Sequence, residues 1–178
     1  MKIYTKTGDD GNTGLQGNLR ISKSHPRIVA YGAVDEANAA LGIVLTNSLD
    51  VDILKILTEI QNELFVVGAD LSNPNLNDVK NRVTLEMIQK IEQNIDKFES
   101  ELDPLTNFIL PGGNIAAAQL HYTRTVIRRA ETQIVQLSEN DEINQNCIKY
   151  LNRVSDLFFV MGRLINKRKG NDDIIWKS

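Results

Sequence analysis

Arg124, Arg128 and Glu131 stand three and four residues apart in the stretch Phe108 to Thr132, FILPGGNIAAAQLHYTRTVIRRAET. Around them Leu120, Thr123, Ile127, Ala130, Ile134 and Leu137 recur at helical spacing and predict a buried face. With Leu120 at zero on a wheel turning about 100° per residue, Glu131 falls about 20° away, Arg124 about 40° and Arg128 about 80°. Charge therefore borders a core face. A surface salt-bridge ladder is one account of such a row. Arg129, however, points the other way, so the helix already has a solvated side for charge. An anion, or the carboxylate of a partner subunit, is the other account, because a guanidinium recognises either in a fixed fork.

Two further groupings carry chemistry. Gly8, Gly11, Gly14 and Gly17 sit three apart, interleaved with Thr5, Thr7, Asp9, Asp10, Asn12 and Thr13. Closely spaced Gly and Thr present backbone N–H groups and hydroxyls to phosphate oxygens, and Lys6 and Lys23 add positive charge. No GxxxxGK[ST] fits there, so this is not a P-loop, and a disordered segment is the competing account. Asn152 and Asp156 are four apart and share one side of a helix, where a plain surface hydrogen bond would also serve.

The elements that must position these groups are helical. Residues 1–26 read as loop, with a short strand at Lys2 to Thr5. A first helix runs from Pro26 or Arg27 to Thr46, with Tyr31, Val34, Asn38, Leu41 and Leu45 on one face and Asp35 beside it. A second runs from Val51 to Leu71 behind Asp50, with Ile53, Leu57, Ile60, Leu64 and Val67 inward. The polar link Ser72 to Arg82 reads as a mobile surface loop. A third helix spans Thr84 to Ser100, burying Leu85, Ile88, Ile91, Ile95 and Phe98. Pro111-Gly112-Gly113 makes a turn, Asn114 caps the fourth helix, and Ser138 to Glu142 form an acidic turn. The fifth runs from Ile143 to Arg168, with Ile148, Leu151, Phe158, Met161, Leu164 and Ile165 as core. Arg153 and Arg163 read as a solvated face or an interface. The expectation is an all-α, five-helix antiparallel bundle in a single domain over 1–178, with residues 1–26 as a nucleotide-binding segment and 27–169 as the bundle.

Composition limits the chemistry. The 178 residues suffice for a real core, and 42% hydrophobic with 24% charged content is ordinary for a globular protein. A net charge of −3 argues against nucleic acid as the main partner. One cysteine, Cys147, and two histidines, His25 and His121, leave no Cys- or His-based metal cage. MKIYTKTGDDG has no apolar h-region and no 18-residue apolar run exists, so a cytoplasmic protein without a membrane partner is expected. Lacking a nucleophile with its base, the site is expected to act by positioning and charge stabilisation.

Four motifs in order, KIYTKTGDDGNTGL, AYGAVDEANAALG, FILPGG…LHYTRTVIRRAE and YLNRVSDLFF, closely resemble the PduO-type ATP:cob(I)alamin adenosyltransferases over nearly the whole chain. Ala37 stands where that family often has leucine. Thr132 stands where it often has arginine, which bears on one basic contact near the nucleotide. The resemblance implies a homotrimer with active sites between subunits, in which cob(I)alamin takes the 5′-deoxyadenosyl group of MgATP and inorganic triphosphate leaves. It implies that Thr5, Lys6, Thr7, Gly8, Thr13, Gly14 and Lys23 bind ATP. Arg128, Arg129, Ala130, Glu131 and Thr132, with Asn152, would complete the nucleotide site from an adjacent subunit. Mg²⁺ would be held mainly by ATP phosphates and water, with no protein metal site. Asp35 and Arg124 would join across the subunit interface, and Phe108 would lie on the lower corrin face, excluding the lower axial ligand. A flavoprotein or similar reductase would supply cob(I)alamin. A non-catalytic ATP- or corrinoid-binding chaperone or sensor is the alternative.

Overall fold

The apolar stripes read from the sequence close on one core. The computed structural model describes residues 2–17 and 19–177. Among these, five helices form: α1 (Pro26–Val44), α2 (Val51–Ser72), α3 (Leu85–Glu99), α4 (Ile115–Ser138) and α5 (Asn146–Arg168). Their starts follow local chemistry. Pro26 opens α1 where no N–H is needed, and His25 Nδ1 accepts from the Arg27 N–H at 3.1 Å. Thr84 caps α3 and Asn114 caps α4, accepting from the N–H groups of Met87 and Ala116. The predicted stripes of α2 and α4 are buried throughout. Leu85 is an exception at 55% exposed, because it lies in the first turn of α3, short of the face made by Ile88, Ile91 and Phe98.

Contacts at the helix ends fix the directions. At the start of α1, Arg27 donates to Leu71 O of α2 at 2.9 Å and to Asp141 past the end of α4 at 3.0 Å. Past the other end, Asn47 Nδ2 donates to Gln119 Oε1 near the start of α4 at 2.6 Å. Arg168, ending α5, holds Asp50 and Asp52 at the start of α2 and Glu101 beyond α3. Helices α1, α2, α5 and α4 therefore form a square in which each neighbouring pair is antiparallel. α3 packs outside the square on α5 and runs parallel to it, a departure from the all-antiparallel bundle expected. The link from Ser100 to Asn114 carries the chain across the end of the bundle instead of folding α4 back on α3.

Four other expectations change. The N-terminal segment is a hairpin, with β1 (Asn12–Gly14) and β2 (Arg20–Ser22) antiparallel and Thr13 opposite Ile21. No strand forms at Lys2 to Thr5. The link after α2 is held rather than loose. Asp70, 2% exposed, pairs with Arg82 and accepts from Val83 N at 2.8 Å and Asn144 Nδ2 at 2.7 Å. Asn144 also delays α5 to Asn146, since its side chain is spent on Asp70 and on Val83 O. Arg163, read as a solvated face or an interface, is 6% exposed and donates within the chain to Asp173 at 2.8 Å and to Asp103 O at 2.9 Å.

Candidate active site

The outer edge of α4 carries a trough of three adjoining cavities. Arg124 lines the first two and Arg128 the second and third. The one nearest the acidic turn, about 420 Å³, is lined by Arg128, Arg129, Glu131, Thr132, Val135 and Asn152. Helix periodicity brings Glu131 to α5, where Asn152 Nδ2 donates to its Oε1 at 3.1 Å. Asn152 Oδ1 accepts from Arg153 at 2.6 Å, and Arg153 also holds Glu92 of α3 at 2.9 Å. Asp156 faces the middle cavity with Arg124 and Arg128 instead of meeting Asn152. Among the described residues Arg128 makes no ion pair. Arg124 sits with its Cζ 6.0 Å from the centre of the Phe159 ring, its Nε buried without a partner. Burial and then the nearby Arg128 disfavour its cation. The carboxylates of the middle cavity, Glu92, Asp96, Glu99 and Asp156, form no ion pair with either guanidinium among the described residues, which leaves both donors open to an anion. The salt-bridge ladder therefore does not describe this row. Arg129 does behave as a surface residue, pairing with Glu36 of α1. Ala130 is wholly buried, so its side chain is core and cannot touch a nucleotide. Thr132 hydroxyl donates to Arg128 O at 3.0 Å, within the helix.

At the other end of the trough, Phe108 is 80% exposed beside a cavity of about 850 Å³ that also touches Arg124, Phe159 and Trp176. An exposed aromatic of this size, in a segment otherwise held in place, is poised for a flat apolar ligand. The segment is fixed on both sides. Gly113, at φ 94°, lets the chain pass so close to α5 that a Cβ would lie 2.3 Å from Asn166 Oδ1. Asn166 takes advantage of this approach, donating to Gly112 O at 2.9 Å and accepting from Asn114 N at 2.8 Å. The C-terminal tail then pairs with the segment as a short bridge, Ile109 opposite Ile175, with Leu110 N on Ile174 O and Trp176 N on Phe108 O, each 2.8 Å. This sets Trp176 edge-on to Phe108, with ring centres 6.4 Å apart. The sequence reading missed Phe159 and Trp176. Phe159 could have been found from its spacing one turn beyond Asp156; Trp176 could not, because the tail has no periodicity.

The remaining candidates lie on another side of the chain. Lys23 Nζ packs close to Gly8, where a Cβ would lie 3.1 Å away. Thr5 and Thr7 hydroxyls touch at 2.8 Å, and Lys6 takes φ 59°, a left-handed turn rarely adopted by a lysine. Arg20, which the sequence reading passed over, grips Thr7 O and faces Asp10. Thr13 and Gly14 lie in β1. Gln16 ties this hairpin to the end of α2, through its N–H on Ser72 O at 3.3 Å and its amide on Ser72 Oγ at 3.1 Å. Asp35 lies next to that anchor, in a separate cavity of about 400 Å³ between α1 and α2 with Tyr31, Phe65 and Gly68. The structure thus gathers Phe108, Arg124, Arg128, Glu131, Thr132 and Asn152 along one trough. It does not bring Asp35 or the N-terminal set to them within one chain. Among the described residues no cluster of His, Cys, Asp and Glu could hold a metal, and no helix is long and apolar enough to cross a membrane. Cys147 is buried and its thiol is pushed well up, chiefly by burial, so it is no nucleophile.

Comparison with known proteins places the chain in a family. A cobalamin adenosyltransferase of Cupriavidus metallidurans is 41% identical over 177 residues, covering 99% of this chain and 94% of that protein. A corrinoid adenosyltransferase of Mycobacterium tuberculosis is 41% identical over 182 residues, covering 99% of this chain and 93% of that one. Among solved structures, a variant PduO-type ATP:corrinoid adenosyltransferase from Lactobacillus reuteri, complexed with cobalamin and ATP, superimposes with a TM-score of 0.93 at 37% identity, covering 99% of this chain and 100% of that one. The shared pattern described as Cobalamin adenosyltransferase matches residues 3–165. The chain belongs to the cobalamin adenosyltransferase family.

Proposed function

We propose that this chain transfers the 5′-deoxyadenosyl group of ATP to the cobalt of cob(I)alamin, giving adenosylcobalamin and inorganic triphosphate. The observation that carries the proposal is the trough on α4. Its Arg128 is a cation with no ion pair among the described residues, placed between an aromatic-walled cavity and the Glu131–Asn152 pair. In the reaction the cobalt nucleophile attacks C5′, the cobalt–carbon bond forms and the C5′–oxygen bond to triphosphate breaks. Cob(I) is itself the nucleophile, so the protein needs no activating base. Its work is to hold two substrates in line and to stabilise charge on the departing triphosphate.

Each residue has a place in that work. Arg128 faces the leaving triphosphate, and Glu131 and Asn152 orient the nucleoside. Thr5, Lys6, Thr7, Gly8, Thr13, Gly14 and Lys23 close on the phosphates as MgATP binds. Phe108 covers the lower face of the corrin and keeps the lower axial ligand off the cobalt. A four-coordinate Co(II) is then easier to reduce, because the oxidised form loses the ligand that stabilised it. The N-terminal set and Asp35 stand on a different side from the trough, so a complete site needs two copies. The surfaces differ, which makes the contact head-to-tail and suits a closed homotrimer with three equivalent sites. Asp35 of one copy then meets Arg124 of the next. A reduced flavoprotein or similar donor supplies the electron.

The test is adenosylation of chemically reduced cobalamin with MgATP, followed by the corrinoid absorbance change and by triphosphate release. Both should appear together. ATP binding without triphosphate would favour a chaperone or sensor over a transferase.

A further inference from the structure

Adenosyl transfer as proposed above has no use for His121, yet the edge of the core is built around it. The side chain is 3% exposed. On α5, Gly162 leaves room for it: a Cβ there would lie 2.8 Å from His121 Nε2 and 2.9 Å from Cε1. The imidazole meets Phe159 edge-on, with ring centres 5.9 Å apart and planes at 62°. The same Phe159 ring carries the Arg124 guanidinium and lines the cavities on both sides of it. Two polar atoms of this cluster are buried without partners among the described residues, His121 Nδ1 and Arg124 Nε. In the neutral Nε2–H imidazole the first is an acceptor, and the second is always a donor. Their residues stand three apart on one helix, the spacing at which side chains meet. Leaving both unsatisfied in the core is costly, and joining them removes both costs.

We infer that His121 is the positioning residue for Arg124: its Nδ1 accepts the Arg124 Nε–H when corrinoid and nucleotide fill the flanking cavities, which turns the Nη edge of the guanidinium toward the site. The inference rests on the function proposed above. It requires a neutral imidazole, and the surroundings supply one. Burial, and then the Arg124 charge, hold the His121 pKa below its ordinary value, with Asp173 of the tail opposing them. α5 packs uncharged Phe159 and Gly162 against the ring, and its Arg163 is already taken by Asp173. Protonation in acid would remove the acceptor and place a second cation beside Arg124.

Two substitutions test this. His121→Asn keeps an acceptor near Nδ1, whereas His121→Phe keeps the aromatic bulk alone. His121→Phe should lower kcat from preformed cob(I)alamin about tenfold or more with KM for MgATP changed by less than about twofold. His121→Asn should recover most of that loss, and the acid limb of the wild-type pH profile should vanish in it. With His25 the only other histidine, nitrogen NMR of the wild-type protein can assign the tautomer directly. The expected species is Nε2–H, with an Nδ1 resonance that moves when MgATP and corrinoid are added. An Nδ1–H tautomer would overturn the inference. So would a Phe variant with wild-type kcat, or Asn and Phe variants that lose kcat and thermal stability in parallel. A wild-type protein without adenosylation would instead remove the function on which the inference rests.

Discussion

At the scale of single residues, the proposed function rests on Arg128, a cation without an ion pair among the described residues, and on Phe108, an exposed aromatic beside the same trough. Arg128→Ala should lower kcat by about a hundredfold, roughly the 3 kcal/mol of one preorganised donor, with the fold intact by circular dichroism. Turnover like that of the wild type would mean that the leaving triphosphate is held elsewhere. Phe108→Ala separates two roles. It should slow turnover that starts from Co(II) with a reductant far more than turnover from preformed Co(I); equal small losses would reduce Phe108 to a wall of the cavity. The row Arg124, Arg128, Glu131 was legible in the sequence because helical periodicity alone decides which side of α4 it takes. Ala130, carried into the nucleotide set by motif position, illustrates the limit of that transfer, since a motif names neighbours along the chain while burial decides which of them offer a side chain to a cavity. Arg129 lines the cavity while also pairing with Glu36. Trp176 shows the opposite limit, since its place depends on backbone pairing with a segment far away in sequence.

At the scale of elements, the five helices were readable from apolar spacing and caps, and they account for nearly all of the core. What could not be read were the features made by partners distant in sequence. The β1–β2 hairpin has too few residues to show a period, and its anchor is the end of α2. The pinned link after α2 depends on Asp70 meeting Arg82 and Asn144. The parallel α3 follows from a long crossover whose path no local signal specifies. Contacts between helices also give the bundle a pH dependence. Tyr150 of α5 is wholly buried and donates to Glu63 of α2 at 2.6 Å. Burial first, and the Glu63 carboxylate second, push its pKa well up. A phenol whose folded pKa is raised contributes stability that is present below its unfolded value and is lost as pH rises above it. Denaturant melts should therefore show wild-type stability falling in the alkaline range above about pH 10, where a free phenol ionises. The Tyr150→Phe protein should lose this part of the fall while being less stable at neutral pH. A slope unchanged in Tyr150→Phe would show that other groups govern the alkaline limit.

At the scale of the whole molecule, the candidate site is two halves on different sides of one chain. On the proposed reading the trough on α4 is completed by another copy's hairpin and Asp35, and each copy offers both surfaces. A protein impaired in the hairpin, such as Lys6→Ala, and one impaired in the trough, such as Arg128→Ala, should therefore rescue each other when refolded together. In randomly mixed closed assemblies about one site in four receives both intact halves, so activity should return to about a quarter of the wild-type value. A mixture no more active than its components would place the whole site within one chain. The tail bears on such assemblies in a further way. Trp176 is the sole tryptophan, and it rests edge-on against Phe108 at the cavity proposed for the corrin. Corrinoids absorb where indole emits, so each occupied cavity should darken its own tryptophan by energy transfer. Titrating emission against added corrinoid then counts filled sites per oligomer, with no label introduced.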